Sequence, residues 1–295
     1  MKKFTIISDS SCDLRTHDLT DNQIDFTTVP ISYRLGEEDF NDTEDSDIST
    51  LTTKMKENKQ APKTACPSVE TFAEVMRSAS TEHIFVLTLS SKLSGTYNSA
   101  RLAAEEVANK KIFVFDSLTT SAGLARIIYK LVKLIKEDKY DFDALCEKLP
   151  EIRSRNKIRF FLHNLGNLVK SGRMSKVLGI ITSVIPLKLI CGDNGEGEIK
   201  KYKQVLGAKK GIEALAQFPA ECHCEEERRS DLRSTSLSYP DPTENLIVIS
   251  HCNNMEGAGT VTSILNRLGF KNIKTLLMRG IATFFANDKG IAIAY

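Results

Sequence analysis

The chain has 295 residues, 41% hydrophobic and 26% charged, a balance normal for a globular protein. Lys and Arg number 40 and Asp and Glu 38, and the resulting net charge of +2 supplies no strong field for nucleic acid or an anionic membrane. No apolar run approaches the ~20 residues of a membrane span, and the opening MKKFTIISDS is too short for a signal-peptide core, so a cytoplasmic protein is expected.

At about 100–200 residues per domain, the length allows two domains. Cysteines at 12, 66, 146, 191, 222, 224 and 252 are odd in number and scattered, the pattern of reduced thiols rather than of a disulfide framework.

In chain order, Phe4–Ser8 reads as a strand, and Val29–Tyr33 as a second after a polar connection. Asp47–Asn58 and Ser68–Arg77 read as helices; Val69, Phe72, Ala73 and Met76 recur at one-face helical spacing. Ile84–Leu89 is an apolar run fit for a buried parallel strand. A helix over Thr96–Ala108, a strand over Ile112–Asp116 and a long helix over Ser121–Lys136 follow. Alternating strands and helices predict an N-terminal doubly wound parallel sheet.

Beyond Lys157 the pattern changes. Ile158–Leu162 is a strand, Asn164–Lys170 a short helix stopped at Gly172, and Ser175–Val184 an apolar helical stretch. Pro186–Cys191 and Ile199–Val205 flank the turn CGDNGEGE as a hairpin. Ala208–Gln217 is a helix, Leu246–His251 a strand, Glu256–Leu268 a helix, Ile273–Met278 a strand, and Gly290–Tyr295 a last strand. The expected organisation is α/β throughout, with domains at 1–157 and 158–295 and a mixed or antiparallel sheet in the second. Pro219–Pro242 lacks periodicity and reads as a polar insertion. It carries Cys222, His223 and Cys224, but C-x-C lacks the usual ligand spacer, so no metal is assigned.

Ligands of open α/β sheets bind beyond the carboxyl ends of the strands. Polar clusters fall there: Ser8-Asp9-Ser10-Ser11 at the end of the first strand, Ser90–Thr96 after the strand Ile84–Leu89, and Asp116-Ser117 after Ile112–Phe115. A fourth, Thr64–Ser68, leads into a helix. In Ser90–Thr96, hydroxyls flank a helix start and Gly95 permits close approach, which suits an anion; simple helix capping is the competing reading. Neither a Walker A pattern nor G-x-G-x-x-G is present, so no nucleotide cofactor is expected. Ser94 as a covalent nucleophile would make a hydrolase or acyltransferase, but the G-x-S-x-G elbow is absent.

The motifs and their order resemble the DegV family of bacterial fatty-acid-binding proteins. FTIISDSSCDL is similar to that family's strand with D-S-[ST]-x-D-L, PKTACPS to P-x-T-S-Q-P-S, and LSSKLSGTYNSA to S-S-x-L-S-G-T-Y-x-S-A. VFDSLTTSAG and NLGNLVKSGRMSKVLGIITSVIPLKLI resemble its V-[IV]-D-S and L-x-x-L-x-x-G-G-R-[IL] segments. The resemblance implies two α/β domains with one long-chain fatty acid between them and no catalysis by the chain itself. It also implies a partner, the kinase subunit that phosphorylates the carboxylate. By position, Ser94, Thr64 and Arg173 would bind that carboxylate, supported by the loops at Asp9, Ser10, Gly95, Thr96, Asp116 and Ser117. The sequence departs from the family at Ala65 and Cys66, and Phe284 stands at or near a family histidine. Phe cannot donate a hydrogen bond, so a changed head group, a lost lipid, or a substitute donor such as His163 are the alternatives. Leu178, Ile180, Ile181, Val184 and Ile185 would suit a tail wall or simply a buried helix.

Overall fold

The computed structural model describes residues 2–58, 63–174, 187–222 and 242–295. Four parallel strands, β1 (Phe4–Asp9), β2 (Ile24–Val29), β6 (His83–Thr88) and β7 (Lys111–Asp116), form a sheet in the order β2-β1-β6-β7. β3 (Ser32–Leu35), β4 (Glu38–Asn41) and β5 (Lys63–Ala65) make a small antiparallel sheet ordered β4-β3-β5. The third sheet is ordered β10-β9-β8-β13-β11-β12, from β8 (Ile158–Leu162), β9 (Leu187–Asp193), β10 (Ile199–Leu206), β11 (Ile247–His251), β12 (Ile273–Leu277) and β13 (Ile291–Ala294). Only β11 and β12 run parallel in it, so this sheet is mixed, as expected.

Alternation along the strands assigns the layers. In the parallel sheet, Ile7, Ile84 and Val86 face Phe72, Ala73 and Met76 of α2 (Val69–Ser78) and Ala100 and Ala103 of α3 (Thr96–Glu105). The intervening Ile6, Phe85 and Leu87 face the opposite way, toward α4 (Ala122–Lys136) and α5 (Phe142–Ser154). α4 also packs on β11 and β13, so Val248, Ala292 and Ala294 join the same core. The far face of the mixed sheet carries Phe161, Ile249 and Ile293 against α7 (Ala208–Leu215) and α8 (Met255–Arg267). α4 is thus the layer common to both large sheets. Its first two turns, Ala122 to Ile128, are buried on every side. The buried Arg126 there donates to Leu246 O at 2.7 Å, and to Asn156 Oδ1 and Asn245 Oδ1 at 3.0 Å each.

Several elements differ from the sequence expectation. The strand expected at Val29–Tyr33 is two: Val29 ends β2, Pro30 breaks the ladder, and Ser32 begins β3 in another sheet. The polar connection before it contains β2, whose Ile24 and Phe26 alternate with less buried neighbours. α5 was not expected, and it carries Pro150 within it. α1 (Ile48–Glu57) and α6 (Gly166–Lys170) form near their expected places, and α9 (Gly280–Ala286) was not expected. The polar insertion starts later than 219, since 218–222 is helical. His223, Cys224 and the apolar stretch with Leu178, Ile180, Ile181, Val184 and Ile185 lie outside the described residues. No described helix is long and apolar enough to cross a membrane.

Candidate functional site

The loops at the carboxyl end of the parallel sheet are tied together by two carboxylates. Asp9 accepts from Ser11 N at 3.0 Å and from Leu89 N at 2.7 Å, joining the end of β1 to the end of β6. Asp116 Oδ1 accepts from Ser91 N and Leu118 N at 3.1 Å each, joining the end of β7 to the same loop. Burial pushes Asp9 up to about 6, against the pull of those hydrogen bonds. Ser10 Oγ accepts from Ile31 N at 3.1 Å, and Ser117 Oγ accepts from Thr119 N at 3.2 Å. Asp9, Ser10, Asp116 and Ser117 therefore shape loops, and none of them lines the cavity beneath.

That cavity measures about 130 Å³. Thr64, Ser94 and Arg173, from three distant stretches of sequence, all line it. β5 places Thr64 opposite Tyr33 of β3. Thr64 Oγ1 accepts from Arg173 Nη2 at 3.4 Å. Arg173 also donates from Nε to Leu93 O at 3.4 Å and from Nη1 to Ser171 O at 3.0 Å. The guanidinium thereby bridges the β5 strand and the loop bearing Ser94, and sits 5.8 Å from the Phe285 ring. Ser94 Oγ lies 2.9 Å from Thr96 Oγ1 and accepts from Thr96 N at 3.3 Å. Gly95 is the cap of α3, and a Cβ there would meet Cys66 Sγ at 3.4 Å. Gly95 and Thr96 support Ser94 without lining the cavity.

Apolar side chains make most of the remaining wall: Ile158, Phe160 and Leu162 of β8, Leu168, Met278, Phe285 and Ala292. β8 and β13 supply this wall from the mixed sheet, while the hydroxyl-bearing Ser11, Thr119, Thr120 and Ser121 come from the loops of the parallel sheet. The acids Asp193 and Glu198 in the lining are engaged: Asp193 accepts from Ile158 N at 2.7 Å and Gly195 N at 3.0 Å, and Glu198 from Asn194 Nδ2 at 3.3 Å. The hairpin turn is locked onto the Ser90 loop, where Ser90 Oγ donates to Gly197 O at 2.8 Å. A polar vestibule of about 190 Å³, lined also by Lys92 and Ser171, shares Leu93, Arg173, Glu198 and Ile199 with the cavity.

Phe284 is not at this wall. It is fully buried among Ile31, Tyr33, Leu51 and Ile281, its ring 5.2 Å from that of Tyr33, while its neighbour Phe285 faces the cavity. His163 does not take the histidine's place in the lining; burial holds it below the usual imidazole range, and its ring packs edge-on against Phe161. Among the described residues no histidine lines the cavity and none bonds Ser94 Oγ, whose hydrogen-bond partner is Thr96. No described group of three or more His, Cys, Asp or Glu is placed to hold a metal. Sequence reasoning missed Phe285 and the β8 wall. The signal for the latter was present in the apolar run IRFFL, whose two faces only the sheet distinguishes.

Comparison with known proteins agrees with this architecture. The sequence model of the DegV family, described as "Uncharacterised protein, DegV family", matches residues 3–293. A DegV domain-containing protein of Streptococcus pyogenes serotype M1 is 27% identical, over 98% of each chain. Among solved structures, a DegV family protein of Ruminococcus gnavus with vaccenic acid superposes with TM-score 0.85 at 27% identity, covering 100% of this chain and 99% of its own. The Streptococcus pneumoniae Fatty Acid Kinase (Fak) B3 protein loaded with linoleic acid gives 0.86 at 26% identity, covering 99% of both chains. With fold and sequence matching along nearly the entire length, this chain belongs to the DegV family.

Proposed function

We propose that the chain binds one long-chain fatty acid between residues 1–157 and 158–295 and presents its carboxylate to a partner kinase. The observation that carries this reading is the convergence of Thr64, Ser94 and Arg173 on one largely apolar cavity. Two hydroxyls and a guanidinium suit a carboxylate, since charge-assisted bonds from arginine are strong and directional. The apolar wall suits an acyl tail, which gains about 0.8 kcal/mol per buried methylene. The lipids held by the pneumococcal and Ruminococcus relatives are of this class.

The vestibule beside Arg173 supports presentation to a partner, because it opens the head-group end to solvent. The partner would supply a nucleoside triphosphate. A carboxylate oxygen attacks its γ-phosphorus, the new O–P bond forms, the bond to the diphosphate breaks, and an acyl phosphate leaves with the chain. Arg173 holds the carboxylate in place for this step, and the chain supplies no base or nucleophile. The name of the pneumococcal relative supports the kinase role.

The test is native mass spectrometry of freshly purified protein with extraction of what is bound. One fatty acid per chain is expected. Ser94→Ala should weaken binding by about 1.5–3 kcal/mol, the worth of a hydrogen bond to a charged group. An empty chain that also ignores added fatty acid in a displacement titration overturns the reading.

A further inference from the structure

A second recess lies away from the acyl cavity, between α4, the segment preceding β2, and the edge of the mixed sheet at β11 and β12; its volume is about 410 Å³. Four lysines line it: Lys130, Lys133 and Lys136 from successive turns of α4, and Lys274 of β12. Ser121, just before α4, lines the acyl cavity, and nine residues of helix place Lys130 about 14 Å further along.

Three acids share the recess and do not neutralise these lysines evenly. Asp21 pairs with Lys136 at 3.0 Å, Asp18 is taken by Arg15 N at 2.8 Å, and Glu244, at the exposed rim, lies within ion-pair distance of none of the four. Lys274 Nζ stands 4.8 Å from the centre of the Tyr129 ring. Lys130 has no carboxylate of the described residues within ion-pair distance. The charges that act on it are all positive: Arg126, Arg155 and Lys133. Burial and these cations lower its ammonium to about 7, and an anion bound beside it would favour its charged form and offset the neighbouring cations. Asn245, whose Oδ1 is occupied by Arg126, keeps its Nδ2 as a neutral donor on the same wall.

We infer that this recess is an anion site for a phosphate dianion, free or carried as a monoester, held by Lys130, Lys133 and Lys274. Lysine serves phosphate as a compact point charge, and several together match a dianion better than a single carboxylate. Leu19, Val132 and Leu246 beside them give an organic substituent an apolar surface.

The experiment is calorimetric titration of the full chain with inorganic phosphate and with phenyl phosphate. Saturable binding in the millimolar range or tighter is expected, weakened about tenfold by Lys130→Gln and by Lys133→Gln. Tighter binding of phenyl phosphate assigns an organic monoester, and equal binding assigns free phosphate. Each variant is also checked for fatty-acid content, which should be unchanged. That control separates failure of this site from failure of the acyl-chain reading and shows that the variant folds. Lys133 is exposed, so its variant remains informative even where Lys130→Gln does not fold. No saturable binding by the parent chain, or binding indifferent to both substitutions, overturns the inference.

Discussion

The two large sheets contribute to one cavity in different ways. In the parallel sheet, strands end together, so their following loops gather at one edge and bring hydroxyls and carboxylates into mutual reach. In the mixed sheet, β8 and β13 run antiparallel, and their contribution is a face: alternate side chains turned toward α4 and the cavity. A parallel edge thus collects polar chemistry, while a sheet face offers apolar area. The layer between them is α4, which must satisfy both.

The largest expected effect therefore falls on α4. Arg126→Met removes three hydrogen bonds from a buried guanidinium and orphans Leu246 O and two asparagine oxygens. A loss of about 3 kcal/mol or more in urea unfolding is predicted, and a loss below 1 kcal/mol would break the view of α4 as the joint between the sheets.

Next in size is Gly197→Ala, at the contact between the hairpin turn and the Ser90 loop. Gly197 has φ +88°, and an added Cβ would stand 2.3 Å from Ser90 Oγ and 3.3 Å from Leu118 Cα. Roughly 1–3 kcal/mol of destabilisation is expected from the strained backbone alone, accompanied by weaker fatty-acid binding. Thermal unfolding with and without added fatty acid reads both. Unchanged lipid affinity would show that the turn does not shape the cavity.

The pH response sharpens the contrast, because the two regions carry opposite signs. Asp9 and Asp13 of the parallel-sheet loops are raised by burial from 3.8 to about 6. Their protonated forms are favoured by folding, so their contribution is present below about pH 4 and lost as pH rises through about 6, at most roughly 3 kcal/mol per group. His251, at the end of β11, is lowered by burial, and its Nδ1 accepts from Asn254 N at 3.2 Å. Folding favours its neutral form, so that contribution is lost as pH falls below 6.5. Urea midpoints measured across this range should lose their low-pH fall in His251→Gln, and a variant that follows the parent's profile would remove His251 from the account. The smallest effect is expected at the surface: Leu277→Ser, 38% exposed on the outer strand of the mixed sheet, should stay within about 0.5 kcal/mol.

Much of this was legible in the sequence. The runs at Phe4–Ser8, Ile84–Leu89 and Ile112–Asp116 lack a strict polar alternation because helices pack on both faces of their sheet, and the polar residues after each form the loops at its carboxyl edge. The hairpin around CGDNGEGE was readable from its turn residues, two of which have positive φ. β2 was obscured by polar residues on an edge strand, and α5, which carries Pro150 within it, was not expected.

The sequence by itself determined the class of the fold and the polar loops, because periodicity and loop composition are local properties; Thr64, Ser94 and Arg173 were singled out by its resemblance to the DegV family. Only the tertiary structure decided that those three share a wall, that Phe285 rather than Phe284 faces it, and that Lys130 stands among cations without a counter-charge. Neighbouring residues such as Phe284 and Phe285 differ by one step of a helix, about 100° of rotation, and only packing against other elements says which direction is the core and which the cavity.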